Sequence, residues 1–362
     1  GHCVLGKKGR PVRVGKLESF IAQFDADMHL THERLPEKTR GKVAVIGSGP
    51  AGLTVAGDLA RQGFHVTIFE GQQELGGVLM YGIPEYRLPK AVVRNEIKKI
   101  EALGVNFVTN CLVGSPESGV TVDSLFADGF DAIFMGTGTA LPQNLNVPGS
   151  DLRRVTQSTD FLHNVNAYIE GVLPREMVPL REGDRVAVIG AGNVAMDAAR
   201  TARRLGADVT VVYRRTQADM PANRSEYEEA VAEGVNFMWQ TNTLEFLGNE
   251  KGRVRALRLS GPEGERTENF DRVFLAIGSR PAARIVSTTT GIETDEKGYV
   301  IVGERPMGMT TRRGVFAGGD VVHRPQTVVL AMKAAKDVAV GIAQYVDAIK
   351  LLEDCGLETP QA

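Results

Sequence analysis

Two stretches of this chain place small residues where a phosphate could lie against the start of a helix. The first reads Lys42-Val-Ala-Val-Ile-Gly47-Ser-Gly49-Pro50-Ala51-Gly52, the second Arg185-Val-Ala-Val-Ile-Gly190-Ala-Gly192-Asn193-Val194-Ala195. In such a turn the first glycine permits the tight strand-to-helix bend. The second removes the Cβ that would block a pyrophosphate, and the third position, glycine or alanine, keeps helix and sheet close. The pyrophosphate then meets free N–H groups and the positive end of the helix dipole. The copies align without a gap, yet they differ where a ribose would be read. Thr67-Ile-Phe closes on Glu70 in the first, and Thr210-Val-Val closes on Tyr213 in the second, followed by Arg214 and Arg215. A carboxylate accepts hydrogen bonds from a free 2′-hydroxyl, whereas guanidinium groups pair with a 2′-phosphate. The pattern predicts two different dinucleotides, FAD at the first turn and NADPH at the second, and electron flow from a nicotinamide to a flavin. Glycine turns without a ligand are the bland alternative, and the agreement of strand, helix, second strand and ribose reader in both copies argues against them. Arg214 and Arg215 could be a solvated pair, but their register against Glu70 favours the phosphate.

The elements that must hold these residues follow from the flanking pattern. The apolar runs Val43 to Ile46 and Val186 to Ile189 read as buried parallel strands. The helices after each turn end at Gly63 and Gly206. A helix is expected over Lys90–Leu103, and strand ends at Ala132 to Gly138 and at Val273 to Gly278. A ribbon is expected with Val254–Leu259 and Asn269–Val273 flanking the turn Gly261-Pro262-Glu-Gly264. Gly314-Val-Phe-Ala-Gly318-Gly319-Asp320 forms a third glycine-rich turn, followed by a long helix from Thr327 to Ala348. The predicted fold class is α/β: two Rossmann-like three-layer dinucleotide-binding domains, the NADPH domain inserted in the FAD domain. The FAD domain takes residues 41–155 and 283–348, the NADPH domain 156–282, and a tail 349–362. Residues 1–40, with Leu17, Phe20, Ile21 and Phe24 at helical spacing, read as a linker or extension.

Composition narrows the function classes. The 362 residues suffice for two or three domains, and a net charge of −2 without a basic block argues against a nucleic-acid surface. No apolar run approaches the roughly 20 residues of a spanning helix, no signal-peptide core opens the chain, and a cytoplasmic location is expected. Cys3, Cys111 and Cys355 make no CxxC pair. A thiol–disulfide reductase would need a second, resolving thiol. Cys111 reads as a small buried hydrophobe, Cys355 as a tail thiol, His323 as a solvated loop residue, and Arg200-Thr-Ala-Arg203-Arg204 as an exposed helix face.

These residues carry a resemblance. The chain resembles the two-dinucleotide-binding-domain flavoproteins that include glutathione and thioredoxin reductases. Within them it is most similar to the small (β) subunit of NADPH-dependent glutamate synthase. The flavin subunit of NADH-dependent ferredoxin:NADP oxidoreductase and the N-terminal half of dihydropyrimidine dehydrogenase are equally similar. The narrowing motif is Glu74-Leu75-Gly76-Gly77-Val-Leu-Met-Tyr-Gly82-Ile-Pro84-Glu-Tyr-Arg87-Leu88-Pro89, with Val212-Tyr-Arg214-Arg215, Met220-Pro221-Ala and Ala317-Gly-Gly-Asp320 as further markers.

The resemblance implies that Gly47, Gly49 and Gly52, with Pro50 and Ala51, bind the FAD pyrophosphate and Glu70 its ribose. Gly77, Arg87 and Leu88 would lie along the flavin, and Asp320 at its ribityl or phosphate region. Gln326, Thr327 and Val328 would bring a helix N-terminus to the flavin edge, where the dipole can stabilise negative charge. Gly71, Leu75, Gly76, Gly82, Val113, Thr137, Gly138, Gly278 and Gly319 would join the cofactor-binding residues. Gly190, Gly192, Asn193, Val194 and Ala195 would hold the NADPH pyrophosphate, and Arg214, Arg215 and Arg224 its 2′-phosphate. No residue would act as acid or base, because hydride transfer asks only for positioned rings.

The family's N-terminal domain holds two [4Fe–4S] clusters. Here only Cys3 remains of their ligands, and one thiolate cannot hold a cluster that asks for four, so residues 1–40 resemble the end of that domain and no metal site is expected in this chain. Lys333 and Ala335 stand where the family often has glycine, with an effect expected on packing only. The implied partner is the glutamate synthase large subunit or another electron-accepting subunit. Two other readings stay open: a bifurcating or sulfide-oxidising flavin subunit, and a nucleotide-binding fragment without turnover.

Overall fold

The structure, a computed structural model, describes residues 3–9, 11–28, 35–325 and 327–357. Its contacts divide the chain into Gly1–Glu37 and Lys38–Ala362. In the first part, helix α1 (Val14–Met28) carries Leu17, Phe20, Ile21 and Phe24, with the rings of Phe20 and Phe24 stacked at 6.4 Å.

The second part begins with β1 (Gly41–Ile46), α2 (Pro50–Arg61), β2 (Phe64–Phe69), α3 (Val78–Tyr81), α4 (Lys90–Ala102), β3 (Asn106–Val108), α5 (Val122–Ala127) and β4 (Ala132–Met135). A short strand, β5 (Leu141–Pro142), leads to β6 (Val155–Gln157), α6 (Ser158–Ile169), β7 (Arg185–Ile189), α7 (Asn193–Arg204), β8 (Asp208–Val212), α8 (Arg224–Ala232) and β9 (Asn236–Met238). An antiparallel sheet of β10 (Asn242–Gly248), β11 (Val254–Gly261) and β12 (Gly264–Asn269) precedes β13 (Arg272–Leu275) and β14 (Ser279–Arg280). Then come α9 (Arg284–Thr288), β15 (Val302–Glu304), β16 (Met307–Thr310), β17 (Val315–Ala317), α10 (Asp320–His323) and α11 (Val328–Asp354).

Two sheets organise these elements into two lobes. The first runs β15-β16-β17-β4-β1-β2-β3, with β17, β4, β1, β2 and β3 parallel and the β15–β16 edge antiparallel. The second runs β6-β13-β7-β8-β9, all parallel. The chain leaves the first sheet after β4, builds the second, and returns to add β17 beside β4. Alternation along the central strands sorts the core. Val43 and Val45 face α2 and α11, while Ala44 and Ile46 face the cluster around α5 and α9. Val186 and Val188 pack on α6 and α7, while Ala187 and Ile189 pack on the antiparallel sheet through Phe246, Leu257 and Leu259. Each such valine, leucine, isoleucine or phenylalanine contributes about 1.5–3 kcal/mol by leaving water.

Three expectations need correction. The ribbon's second arm is Gly264–Asn269, and Arg272–Leu275 belongs to the central parallel strand β13. The turn is therefore tighter than the flanking pattern implied, because Gly264 pairs directly with Gly261. The last helix continues to Asp354, so the expected tail starts inside it; half-buried Ile349 and Leu352 keep the helical stripe going. The Arg200–Arg204 face is not simply solvated. Arg200 is 4% exposed and Thr201 5%, because α8 and Tyr86 cover that side of α7.

Candidate functional site

Both glycine turns stand where strand order reverses, β1 between β2 and β4, and β7 between β8 and β13. Open α/β sheets bind ligands in the crevice at such a switch point. Gly47 N–H donates to the Phe69 carbonyl at 2.8 Å and Gly190 N–H to the Val212 carbonyl at 3.0 Å, which ties each turn to the strand carrying its ribose reader. At Gly52 a Cβ would stand 1.9 Å from the Gly47 carbonyl oxygen, so helix and turn touch there through backbone alone. Neither α2 nor α7 has a side-chain cap: their N-caps are Gly49 and Gly192. By contrast, α5 opens with a capping box on Thr121. The first N–H groups of α2 and α7 are therefore donors of the kind a pyrophosphate satisfies, and Pro50, Ala51, Asn193, Val194 and Ala195 lie on those first turns.

Around the first turn, the Glu70 carboxylate is almost fully buried. Its Oε2 accepts from Ser48 N–H (2.9 Å) and from the Ser48 hydroxyl (2.6 Å), and its Oε1 accepts from Gln72 N–H (2.8 Å). Two oxygens offer about four acceptor positions, and the bonds found among the described residues use three of them. Ser48 was missed by the sequence reading. Its hydroxyl also accepts from Gly76 N–H at 2.9 Å, so it binds the loop 71–77 to the turn; the signal was the serine itself, where the second copy has Ala191. Gly77, at φ +53°, lies so close that a Cβ would come within 3.0 Å of the Gly49 Cα. Leu75 and Leu88 pack on the first core, Gly71 lies beside Leu112, and Gly82 ends α3. After β4, Gly136 and Thr137 lie next to Gly47, with Gly138 following, and Gly319 lies against Ala51, which brings Asp320 to the first turn of α2. The Val113 side chain is buried in the core on the sheet's other face. Thr327 caps α11, accepting from Leu330 N–H at 3.4 Å, and Val328 opens that helix; Gln326 lies outside the described residues. An open pocket of about 410 Å³ adjoins Asp320, between α11 and the β15–β16 edge, and exposed His323 borders it.

At the second turn, Asn193 Oδ1 accepts from Asn223 N–H (3.0 Å), and Ala222 N–H donates to the Ala191 carbonyl (3.1 Å). These bonds bring the start of α8, and with it Arg224, beside the start of α7. Arg224 is exposed and paired with Glu228 at 2.9 Å. Arg214 and Arg215 are exposed at the end of β8, and no bond to their guanidinium groups is found among the described residues. Tyr213, in the register of Glu70, donates its hydroxyl to the Asp219 carbonyl at 3.0 Å and meets Trp239 edge-on at 6.1 Å. Gly278 lies on the connection between the lobes, its carbonyl accepting from Gln143 N–H.

Arg87, which the resemblance sets along a flavin, is held by carboxylates in this structure. It crosses to the second lobe, donating to Asp197 at 2.6 Å and meeting Glu226 at 3.0 Å. Arg200 meets Glu226 (3.1 Å), Glu229 (2.7 Å) and Glu233 (2.8 Å). Burial works against the Glu233 carboxylate, yet Arg200 and Arg204 hold it below the usual range. Cys111 is buried, which pushes its thiol up, and Cys355 is exposed. Among the described residues no group of His, Cys, Asp and Glu could hold a metal ion, and no helix is long and apolar enough to cross a membrane.

Comparison with known proteins places this arrangement. Residues 41–335 match the family model of the pyridine nucleotide-disulphide oxidoreductases. The chain is 39% identical over 361 residues to the NADP(+)-dependent formate dehydrogenase subunit beta of Moorella thermoacetica, covering 94% of this chain and 49% of that protein. It is 34% identical to the glutamate synthase [NADPH] small chain of Halomonas elongata, covering 96% of this chain and 77% of that one. It thus spans about half of the first relative and about three quarters of the second. In fold it is similar to FprA from Mycobacterium tuberculosis (TM-score 0.71, 19% identity, 88% of this chain and 87% of that one). Lactococcus lactis thioredoxin reductase is also similar (TM-score 0.65, 23% identity, 84% and 99%). With two glycine turns on the parallel strands of two sheets and these relatives across its length, the chain belongs to the pyridine nucleotide-disulphide oxidoreductase family, among the two-domain flavoproteins related to glutamate synthase small chains.

Proposed function

We propose that this chain is an NADPH-dependent flavin oxidoreductase that passes electrons to a partner subunit, as a glutamate synthase small chain would. The observation that carries this reading is the pair of uncapped glycine turns at two switch points with opposite ribose readers, buried Glu70 and exposed Arg214–Arg215. The residues fit FAD at the first turn: the α2 N–H groups face the pyrophosphate position, the Glu70 carboxylate the ribose, and Gly77 leaves the space over Gly49 that a side chain would fill. NADPH fits the second, with Arg214 and Arg215 on the 2′-phosphate and Arg224 within the same rim. Bound there, FAD would accept hydride from the nicotinamide and release electrons singly. The protein's own part is to bind and orient: the N–H groups of α2 and α7 neutralise the two pyrophosphates, and the α11 N-terminus offers a positive dipole end near the turn of α2.

The partner assignment draws support from two relatives whose names make them parts of larger enzymes, one of formate dehydrogenase and one of glutamate synthase. A thiol–disulfide reductase finds no support in a buried Cys111 without a neighbouring thiol. Anaerobic titration of the purified protein with NADPH and then NADH is the test. Bleaching of a bound flavin preferentially by NADPH, with recovery on adding ferricyanide, is expected. A yellow protein that neither nucleotide bleaches would sink the reading.

A further inference from the structure

We propose that Arg87 is a positioning residue: with its neighbours it latches the two lobes at one angle and so sets how the two bound dinucleotides face each other. For its kinetic consequence this rests on the NADPH-to-flavin reading; the latch itself does not.

The lobes are joined along the chain by β5 and β14, which pair with each other over two residues each, and by a 2.8 Å bond between the Ser279 and Thr139 hydroxyls. A two-stranded ribbon is marginally stable by itself, so it permits rotation and defines no angle. Residues 79–94 of the first lobe supply the second attachment. The Tyr81 ring stacks on His163 at 4.7 Å, with planes 8° apart. Asn166 Nδ2 donates to the Tyr81 and Ile83 carbonyls at 3.1 and 3.0 Å. Arg94 meets Glu170 at 2.5 Å. Tyr86 slides under Arg204, whose guanidinium carbon is 3.9 Å from the ring centroid. At the centre Arg87 forks, one nitrogen to Asp197 and the other to Glu226.

The partners of this segment lie on α6 and its C-cap Glu170, on α7 and on α8, three elements of the second lobe, so the contacts fix rotation as well as distance. Glu226 gives one oxygen to Arg87 and the other to Arg200, which roots the receptor in the lobe's own buried network. Asp197 lies in the second turn of α7, the helix whose first turn would carry the NADPH pyrophosphate. Burial pushes its carboxyl up even with Arg87 beside it. Charges buried at that cost add little net stability; what they supply is a single geometry. Lys90 stiffens the segment from inside, donating to the Leu79 and Ile83 carbonyls.

The test uses the FAD-loaded chain with Cys3 and Cys355 changed to serine and spin labels on Asn106→Cys and Glu250→Cys, exposed positions of the first and second lobes. The parent should give one narrow distance distribution. Arg87→Met should broaden or shift it, and Arg87→Lys, which has no fork to meet two carboxylates, should fall between. If Arg87→Met does not fold, Asp197→Asn carries the same expectation. In single-turnover reduction the limiting rate of flavin bleaching should fall on the order of tenfold, with the half-saturating NADPH concentration nearly unchanged. An unchanged distance distribution would overturn the latch, as would a raised half-saturating concentration with the parent's limiting rate. If NADPH fails to bleach the parent, the oxidoreductase reading falls, and the distance measurement still decides the latch.

Discussion

Replacing Gly52 by alanine sets two physical effects against each other. Helix propensity alone favours alanine over glycine by roughly 0.5–1 kcal/mol. The structure opposes it: the new Cβ would stand 1.9 Å from the Gly47 carbonyl oxygen, 3.1 Å from its carbon and 3.2 Å from Val45 Cγ1. Reaching even a 3.0 Å contact requires the helix and turn to part by about 1.1 Å. Both are held, the turn by the Phe69 carbonyl and the helix by packing of Leu53, Val55 and Leu59 in the core. Overpacking of this kind costs about 1–3 kcal/mol, and the upper end applies because the neighbour is backbone and cannot rotate away. At roughly 2 °C per kcal/mol for a chain of this size, Gly52→Ala should melt about 4–6 °C lower and lose most of its FAD on gel filtration. Position 195 is the control, since alanine is native and fully buried at the same step of the second copy. Ala195→Gly should cost only about 1–2 kcal/mol, the propensity and one buried methyl, and should leave FAD bound. Differential scanning fluorimetry and the flavin-to-protein absorbance ratio read both variants. A Gly52→Ala protein that keeps its flavin and melts at or above the parent temperature would refute the contact argument.

Arg214→Ala with Arg215→Ala should raise the NADPH KM on the order of tenfold, the worth of a charge-assisted contact, and leave the NADH KM nearly unchanged; equal losses for both would remove the phosphate assignment. Trp239 is the only tryptophan and packs against Tyr213 beside that site, so NADPH should quench its emission in the parent and need higher concentrations in the double variant. Lys90 is buried, and burial pushes its ammonium down to about 8. The unfolded chain then holds the proton more tightly, so this contribution to stability is present above about 10.4 and is lost as pH falls through 8. Thermal melts should show stability rising across that window, and Lys90→Met should flatten the rise; an unaltered profile would discount the buried ammonium.

The two turns, their strands and the helices behind them were legible in the residues because each depends on local geometry. A glycine at a tight bend, an apolar run of strand length and a small residue three steps on leave few other conformations. The contrast between Glu70 and Arg214–Arg215 was likewise written in the register of two aligned copies. The roles of Ser48, Arg87 and Arg200 were not, because each is defined by a partner far along the chain. A serine inside a glycine turn reads as a spacer until Glu70 and Gly76 are brought to it. Arg87 finds Asp197 110 residues away, and Arg200 becomes a buried cation only when α8 and Tyr86 close over α7. Spacing along the sequence determines which backbone can receive a phosphate. Packing between lobes decides which charges leave water and which residues meet, since the cost of burying a charge depends on partners that only the fold assembles.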